Sequence, residues 1–153
     1  MVRPATPDDV PVVDELVRAA YEHYVPRIGR EPKPMTVDYA QVVEQGQTWV
    51  AVEQEAGRQD RLVGVLVLEH ADDHVLVENL AVLPQAQGAG IGGRLLAHAE
   101  EQARARGVRQ VRLYTHELMT ENRAYYPRRG YRETHLSTET PWRRAYFAKD
   151  LSS

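Results

Sequence analysis

Apolar residues recur along this chain in two rhythms. Val13, Leu16, Val17, Ala20, Tyr21 and Tyr24 fall three or four positions apart, the spacing of one helix face. Thr6-Pro7-Asp8-Asp9 just ahead supplies capping oxygens and early negative charge, and Pro26 marks the end. A short strand over residues 2–5 precedes this helix. Residues 25–35 carry three prolines and a glycine and read as a loop, with a second short helix over residues 36–45. The rhythm then changes. Trp49 to Val52 and Leu62 to Leu68 read as strands joined by a polar turn at residues 55–60, and residues 74–82 make a third. Ile91, Leu95, Leu96, Ala99 and Ala103 trace another helix face, which Gly107 ends in the position glycine favours. Val108 to Thr115 is a strand, Thr120 to Arg129 a helix, and Tyr131 to Thr138 and residues 142–149 are two further strands. Three adjacent strands followed by a βαβ unit predict an α/β (α+β) fold in one domain, residues 1–153: a mixed sheet of about seven strands with helices on both faces.

Composition narrows the function classes. With 153 residues and 42% apolar content the chain is long enough to bury a sizeable core. Its net charge of -3 gives no general reason to expect nucleic-acid binding, whose usual signature is a strongly basic face. The absence of cysteine excludes disulfides, thiolate metal sites and a cysteine nucleophile. No His/carboxylate cluster has metal-ligand spacing, so no metal is expected. The longest apolar run, Leu62 to Leu68, is seven residues, and the first residues lack a signal-peptide pattern; a cytoplasmic protein without membrane contact is expected.

Chemistry concentrates in Leu80-Ala81-Val82-Leu83-Pro84-Gln85-Ala86-Gln87-Gly88-Ala89-Gly90-Ile91-Gly92-Gly93, where a strand meets a helix through a turn with four glycines in six residues. The first helical turn has N–H groups without intrahelical partners, and the dipole adds positive charge there. Glycines let that backbone approach a ligand closely, so the segment is suited to cradle a pyrophosphate. It is not a P-loop, because no lysine stands nearby. Gly88, Gly90 and Gly93 satisfy the dinucleotide fingerprint Gly-x-Gly-x-x-Gly, but far from the chain's first strand. Glu100 and Glu101 also fall in the following helix instead of at a second strand end. The alternative is Gln-x-x-Gly-x-Gly, met by Gln87 to Gly92.

In that form the segment resembles the GNAT superfamily of N-acetyltransferases, and the preceding Asn79 to Pro84 is similar to that family's strand end. A second segment, Asn122-Arg123-Ala124-Tyr125-Tyr126-Pro127-Arg128-Arg129-Gly130-Tyr131, resembles its Asn-x-x-Ala…Tyr-x-x-x-Gly-Phe stretch. Counted back from Gly130-Tyr131, the family's tyrosine falls on Tyr126. Counted from Asn122 the interval is short, and Pro127 disfavours helical geometry at Tyr126. The choice between Tyr125 and Tyr126 stays open, with Tyr126 preferred.

The resemblance implies acetyl-CoA as co-substrate and direct attack of an amine on the thioester through a tetrahedral intermediate. It implies that Leu80, Ala81 and Val82 line the acyl end, the Val82 N–H stabilising the oxyanion. Gln87, Gly88, Ala89, Gly90, Ile91, Gly92 and Gly93 would hold the pyrophosphate, with Asn122 and Tyr125 beside the pantetheine arm. Tyr126 would protonate the leaving thiolate. Glu78, sharing a strand face with Leu80 and Val82, is the candidate base, and His116 the second candidate. The family's acceptor wall maps to the first two helices and their connection, here with Tyr24, Arg27, Met35 and Tyr39; His116 would also face the acceptor. Arg27 or Arg30 would pair with a carboxylate if the acceptor is amino-acid-like. A small-molecule amine is the first expectation; a peptide or protein amine, or a non-catalytic acyl-CoA sensor, are the alternatives. A monomer or a homodimer is expected, with the edge strands, especially the last at residues 142–149, as plausible dimer contacts.

Overall fold

The strands form where apolar runs are long enough to be covered, and the helices where the apolar stripe faces them. In the computed structural model, which describes residues 1–54, 57, 59–138 and 143–152, seven strands are joined by five α-helices. They are β1 (Val2–Pro4), α1 (Val10–Tyr21), α2 (Val25–Ile28), α3 (Tyr39–Glu44), β2 (Thr48–Glu53), β3 (Arg61–His70) and β4 (Val75–Val82). There follow α4 (Ile91–Ala105), β5 (Gln110–His116), α5 (Thr120–Tyr125), β6 (Arg132–Ser137) and β7 (Arg144–Asp150). The strand order is β1-β2-β3-β4-β5-β7-β6. β1/β2, β2/β3, β5/β7 and β6/β7 pair antiparallel, and β4/β5 pair parallel. The sheet is thus mixed and seven-stranded, as the pattern predicts, and mostly antiparallel.

Contacts group into two compact units, Met1–Leu68 with Asn79–His98, and Glu69–Glu78 with Ala99–Ser153. In the first unit α1 buries Val13, Leu16 and Val17, while β3 buries every residue from Val63 to Leu68. Close packing is built into that unit at Gly64, beside Leu95, Ile91 and the carbonyl of Ala81. Asp9 anchors its entrance: the carboxylate accepts from the Arg3 guanidinium (2.8 and 3.0 Å) and the Thr6 N–H (2.7 Å). In the second unit, Val111 and Leu113 of β5 and Ala145 and Phe147 of β7 turn to one side, and Tyr131 is buried with them. The Tyr131 hydroxyl donates to Glu100 (3.2 Å), which also accepts from Lys149 Nζ (3.0 Å). Burial, reinforced by the Glu100 charge, raises the phenol pKa well above its usual range, so it stays a donor.

Several expectations need correction. The helix expected to end near Pro26 closes at Tyr21, and residues 25–28 are helical instead of looped. Pro26 sits in the first turn of α2, where its missing N–H leaves no bond unmade, and Gly29 at φ 86° ends that turn. The second helix starts only at Tyr39, because Asp38 caps it by accepting from Ala40 and Gln41 N–H (3.1 and 3.4 Å). The last strand is not an edge: β7 lies between β5 and β6, so its backbone is engaged on both sides. Residue 142 of that expected strand, and residues 55, 56 and 58 of the expected polar turn, lie outside the described residues. Gly107 closes α4 as expected, at φ 77°, with Val108 N–H reaching back to Ala103 O.

Candidate functional site

The glycine-rich turn carries the site's first feature. After β4 a single turn of 3-10 helix covers Pro84–Ala86, and the chain reverses through exposed Gln87, Gly88, Ala89 and Gly90 before α4 begins. Gly88 and Gly90 stand at φ 89° and 81°, a region that L side chains enter only with strain, and open space lies beside both. None of the N–H groups from Gly88 through Gly93 has a hydrogen-bond partner among the described residues; the ladder starts at Arg94 N–H to Gly90 O (3.1 Å). A row of unpartnered N–H donors at the positive end of a fifteen-residue helix suits a pyrophosphate, so these residues fit coenzyme A.

Within the same unit a buried polar relay ties α1, β4 and α3 together. The Tyr21 hydroxyl donates to Asn79 Oδ1 (2.8 Å), and Leu80 O stands 3.1 Å from the same hydroxyl. Asn79 Nδ2 donates to the Tyr39 hydroxyl (2.9 Å), which donates to Pro34 O (2.7 Å). Tyr39 is therefore a buried strut, 3% exposed, whose hydroxyl is already committed. Tyr24 is buried as well, with the Arg27 guanidinium 5.0 Å above its ring. Met35 is half-buried in the turn over Lys33–Thr36. Sequence reasoning missed this relay. Its members were visible, but no spacing rule joins hydroxyls 58 and 40 residues from Asn79.

β4 alternates as expected. Val75, Val77, Asn79 and Ala81 are buried, while Leu76, Leu80 and Val82 are half-buried and Glu78 exposed on the other face. Its parallel register with β5 covers Val75 to Val77 against Val111 to Leu113.

The second unit holds the tyrosine segment. Asn122 donates through Nδ2 to Thr115 Oγ1 (3.1 Å), which orients its amide. Tyr126 is helical (φ -65°, ψ -39°) despite Pro127, because Pro127 opens the following 3-10 turn over Tyr126–Arg129. Its ring is 7% exposed and packs on Phe147 (5.8 Å), Tyr131 (6.1 Å) and, edge-on, Tyr125 (5.4 Å). Tyr125 is half-buried, with Arg129 5.1 Å above its ring. His116 ends β5, where its Nδ1 accepts from Leu118 N–H (3.1 Å). Glu117 and Arg143 close this end with a bidentate pair (2.7 and 3.0 Å) and a backbone bond, Glu117 N–H to Arg143 O (2.8 Å). Among the described residues no group of His, Asp or Glu could hold a metal, and no helix is long and apolar enough to cross a membrane.

The mixed seven-strand sheet with its surrounding helices is the fold of acetyltransferases of the GNAT type. The family model for the acetyltransferase (GNAT) domain matches residues 44–133, and the chain belongs to that family. Acetyl-CoA is the family's co-substrate. The aminoalkylphosphonate N-acetyltransferase of Salmonella typhimurium is 38% identical over 69 residues, 45% of this chain and 45% of that protein. The chain thus matches less than half the length of this relative. A GNAT acetyltransferase of Staphylococcus aureus superposes with a TM-score of 0.79 at 15% identity, covering 99% of each chain. The PaiA N-acetyltransferase of Thermoplasma acidophilum, solved with coenzyme A, gives 0.75 at 15% identity, covering 98% of each chain.

Proposed function

We propose that this protein transfers the acetyl group of acetyl-CoA to the primary amine of a small molecule. The observation that carries the reading is the row of unpartnered N–H groups from Gly88 to Gly93, exposed over Gly88–Gly90, at a helix N-terminus inside the stretch that the family model matches. The small-molecule acceptor is supported by the Salmonella relative, whose name gives an aminoalkylphosphonate.

Acetyl-CoA supplies a thioester carbonyl open to attack by an amine. In this reading Gln87 to Gly93 bind the pyrophosphate, and the N–H of Val82 stabilises the oxyanion. Asn122, its amide held by Thr115, takes a hydrogen bond to the pantetheine arm. Tyr126 donates a proton to the departing sulfur, and exposed Glu78 takes the proton released by the amine, directly or through water. Tyr24 and Tyr39 support the acceptor wall from behind, since both are buried; Arg27, Met35 and His116 are the more open members.

The test is thermal unfolding with acetyl-CoA, beside NAD and ATP. A ligand at a hundred times its Kd adds about 2.7 kcal/mol, or several degrees for a domain of this size. A shift with acetyl-CoA alone is expected. A shift with NAD alone would return the turn to the dinucleotide fingerprint and end this reading.

A further inference from the structure

The second unit presents a sheet face of which the proposed chemistry uses only His116 and Glu78. On β5 and β7, the side opposite Leu113 and Phe147 carries Tyr114, His116, Arg144 and Tyr146, all half-buried. Tyr114 stands opposite Tyr146 in the register and His116 opposite Arg144, so these side chains share the face. The Arg144 guanidinium lies 4.1 Å from the centre of the Tyr114 ring, and the Tyr146 ring is 5.8 Å from that of Tyr114. His135 of β6 stacks on Tyr146 at 4.4 Å with rings 6° from parallel. Glu78 of β4 is close enough for its charge to act on the Tyr114 phenol.

Arg144 differs from its neighbours. Arg112, Arg123, Arg132 and Arg143 each pair with a carboxylate. Among the described residues Arg144 pairs with none, and its guanidinium makes no hydrogen bond; a ring holds it instead. The hydroxyls of Tyr114 and Tyr146 likewise make no hydrogen bond among the described residues. A guanidinium fixed in place with its donors unspent is set for a planar oxyanion, and two phenol O–H groups beside it add donors of the same kind. Across Tyr114 stands the opposite charge, Glu78. Strands two apart in a sheet are separated by roughly 10 Å, a span that both side chains and a short ligand cover together.

We propose that this face binds the acceptor, and that the acceptor is a short aminoalkyl anion whose carboxylate, phosphonate or phosphate is held by Arg144 with the Tyr114 and Tyr146 hydroxyls. Its ammonium end lies toward Glu78. Arg144 thereby takes the role that the sequence suggested for Arg27 or Arg30. The proposal rests on the acetyltransferase reading and deepens it by naming the acceptor's second charge.

The experiment compares 2-aminoethylphosphonate, β-alanine and propylamine as acceptors with saturating acetyl-CoA, following release of the CoA thiol. The wild-type protein is expected to prefer the two anions to propylamine by about tenfold or more in kcat/KM, the scale of hydrogen bonds to a charged group. Arg144→Gln collapses that preference, chiefly through KM, and Arg144→Lys restores part of it. The acetyl-CoA thermal shift serves as the check on folding; if Arg144→Gln loses it, Tyr146→Phe carries the same comparison. In parallel, 2-aminoethylphosphonate is titrated in the presence of CoA, where it stabilises the wild type and not Arg144→Gln. Equal use of propylamine, or a preference that survives Arg144→Gln, overturns the proposal. So does a wild type that acetyl-CoA stabilises but no anionic amine stabilises or engages, and the acetyltransferase reading then still stands. Failure of the acetyl-CoA shift itself removes the underlying reading.

Discussion

Gly64 offers a test in which two effects of opposite sign compete. Its backbone is outside the left-handed region, so alanine at this position would narrow the unfolded ensemble and add about 0.4–1 kcal/mol of stability. Against that, the new Cβ would stand 2.9 Å from Leu95 Cδ1, 3.1 Å from Ile91 Cγ2 and 3.3 Å from the carbonyl oxygen of Ala81. Carbon pairs rest at roughly 3.5–4.0 Å, so all three neighbours must give way. Leu95 is fully buried, Ile91 is 7% exposed, and the Ala81 oxygen belongs to a strand. Overpacking of this kind costs about 1–3 kcal/mol. Gly64→Ala is therefore expected to lose about 1–2 kcal/mol net, seen as a fall in Tm of about 2–8 °C and a lower urea midpoint. Leu95→Val removes the closest clashing atom at its own cost of about 1 kcal/mol. In the double variant the two losses add to less than their sum, by about 1 kcal/mol. A Gly64→Ala protein with a raised Tm, or strict additivity with Leu95→Val, would refute the packing argument.

Two further outcomes can be stated. The Arg3 guanidinium, with the Thr6 N–H, holds the Asp9 carboxyl down at about 2. Its folded pKa lies below the unfolded one, so the stabilisation is complete above the ordinary carboxylate range and is lost as pH falls from about 4 toward 2. The wild type should exceed Asp9→Asn by about 2 kcal/mol in urea unfolding near pH 6, with the gap closing in that acid window; a gap that does not change with pH refutes it. Tyr126→Phe should lower kcat with an identified acceptor by about a hundredfold or more, while Tyr125→Phe leaves kcat within a few-fold of the wild type. The reverse pattern would move the proton donor to Tyr125.

What could be read from the sequence follows from range. β4 and the face of α1 were legible because burial writes a period of two or of three to four directly into the residue order, and β3 because an unbroken apolar run marks a strand buried on both faces. The glycine turn was legible because positive φ at Gly88 and Gly90 demands a residue type. Pro26 and Pro127 misled for a shared reason. A proline forbids a helix interior but is welcome in a first turn, and the pattern does not say which turn it occupies. The place of β7 between β5 and β6 was beyond reach, since a strand's own residues name no neighbour. The same holds for the site: the residues of the glycine turn were found by local motif, while the hold of Asn79 on Tyr21 and Tyr39, and of Tyr114 on Arg144, depends on contacts between distant segments.

The two outermost strands, β1 and β6, end the sheet by different means. β1 is three residues long and finishes in Pro4, which has no N–H to offer a newcomer. β6 is longer, but its pairing with β7 slips between Glu133 and His135, and its outer residues include Arg132, Glu133 and His135. Irregular pairing and charge are the features that discourage a strand from being extended by another chain. Edge-to-edge growth into filaments is thus discouraged at both ends of the sheet.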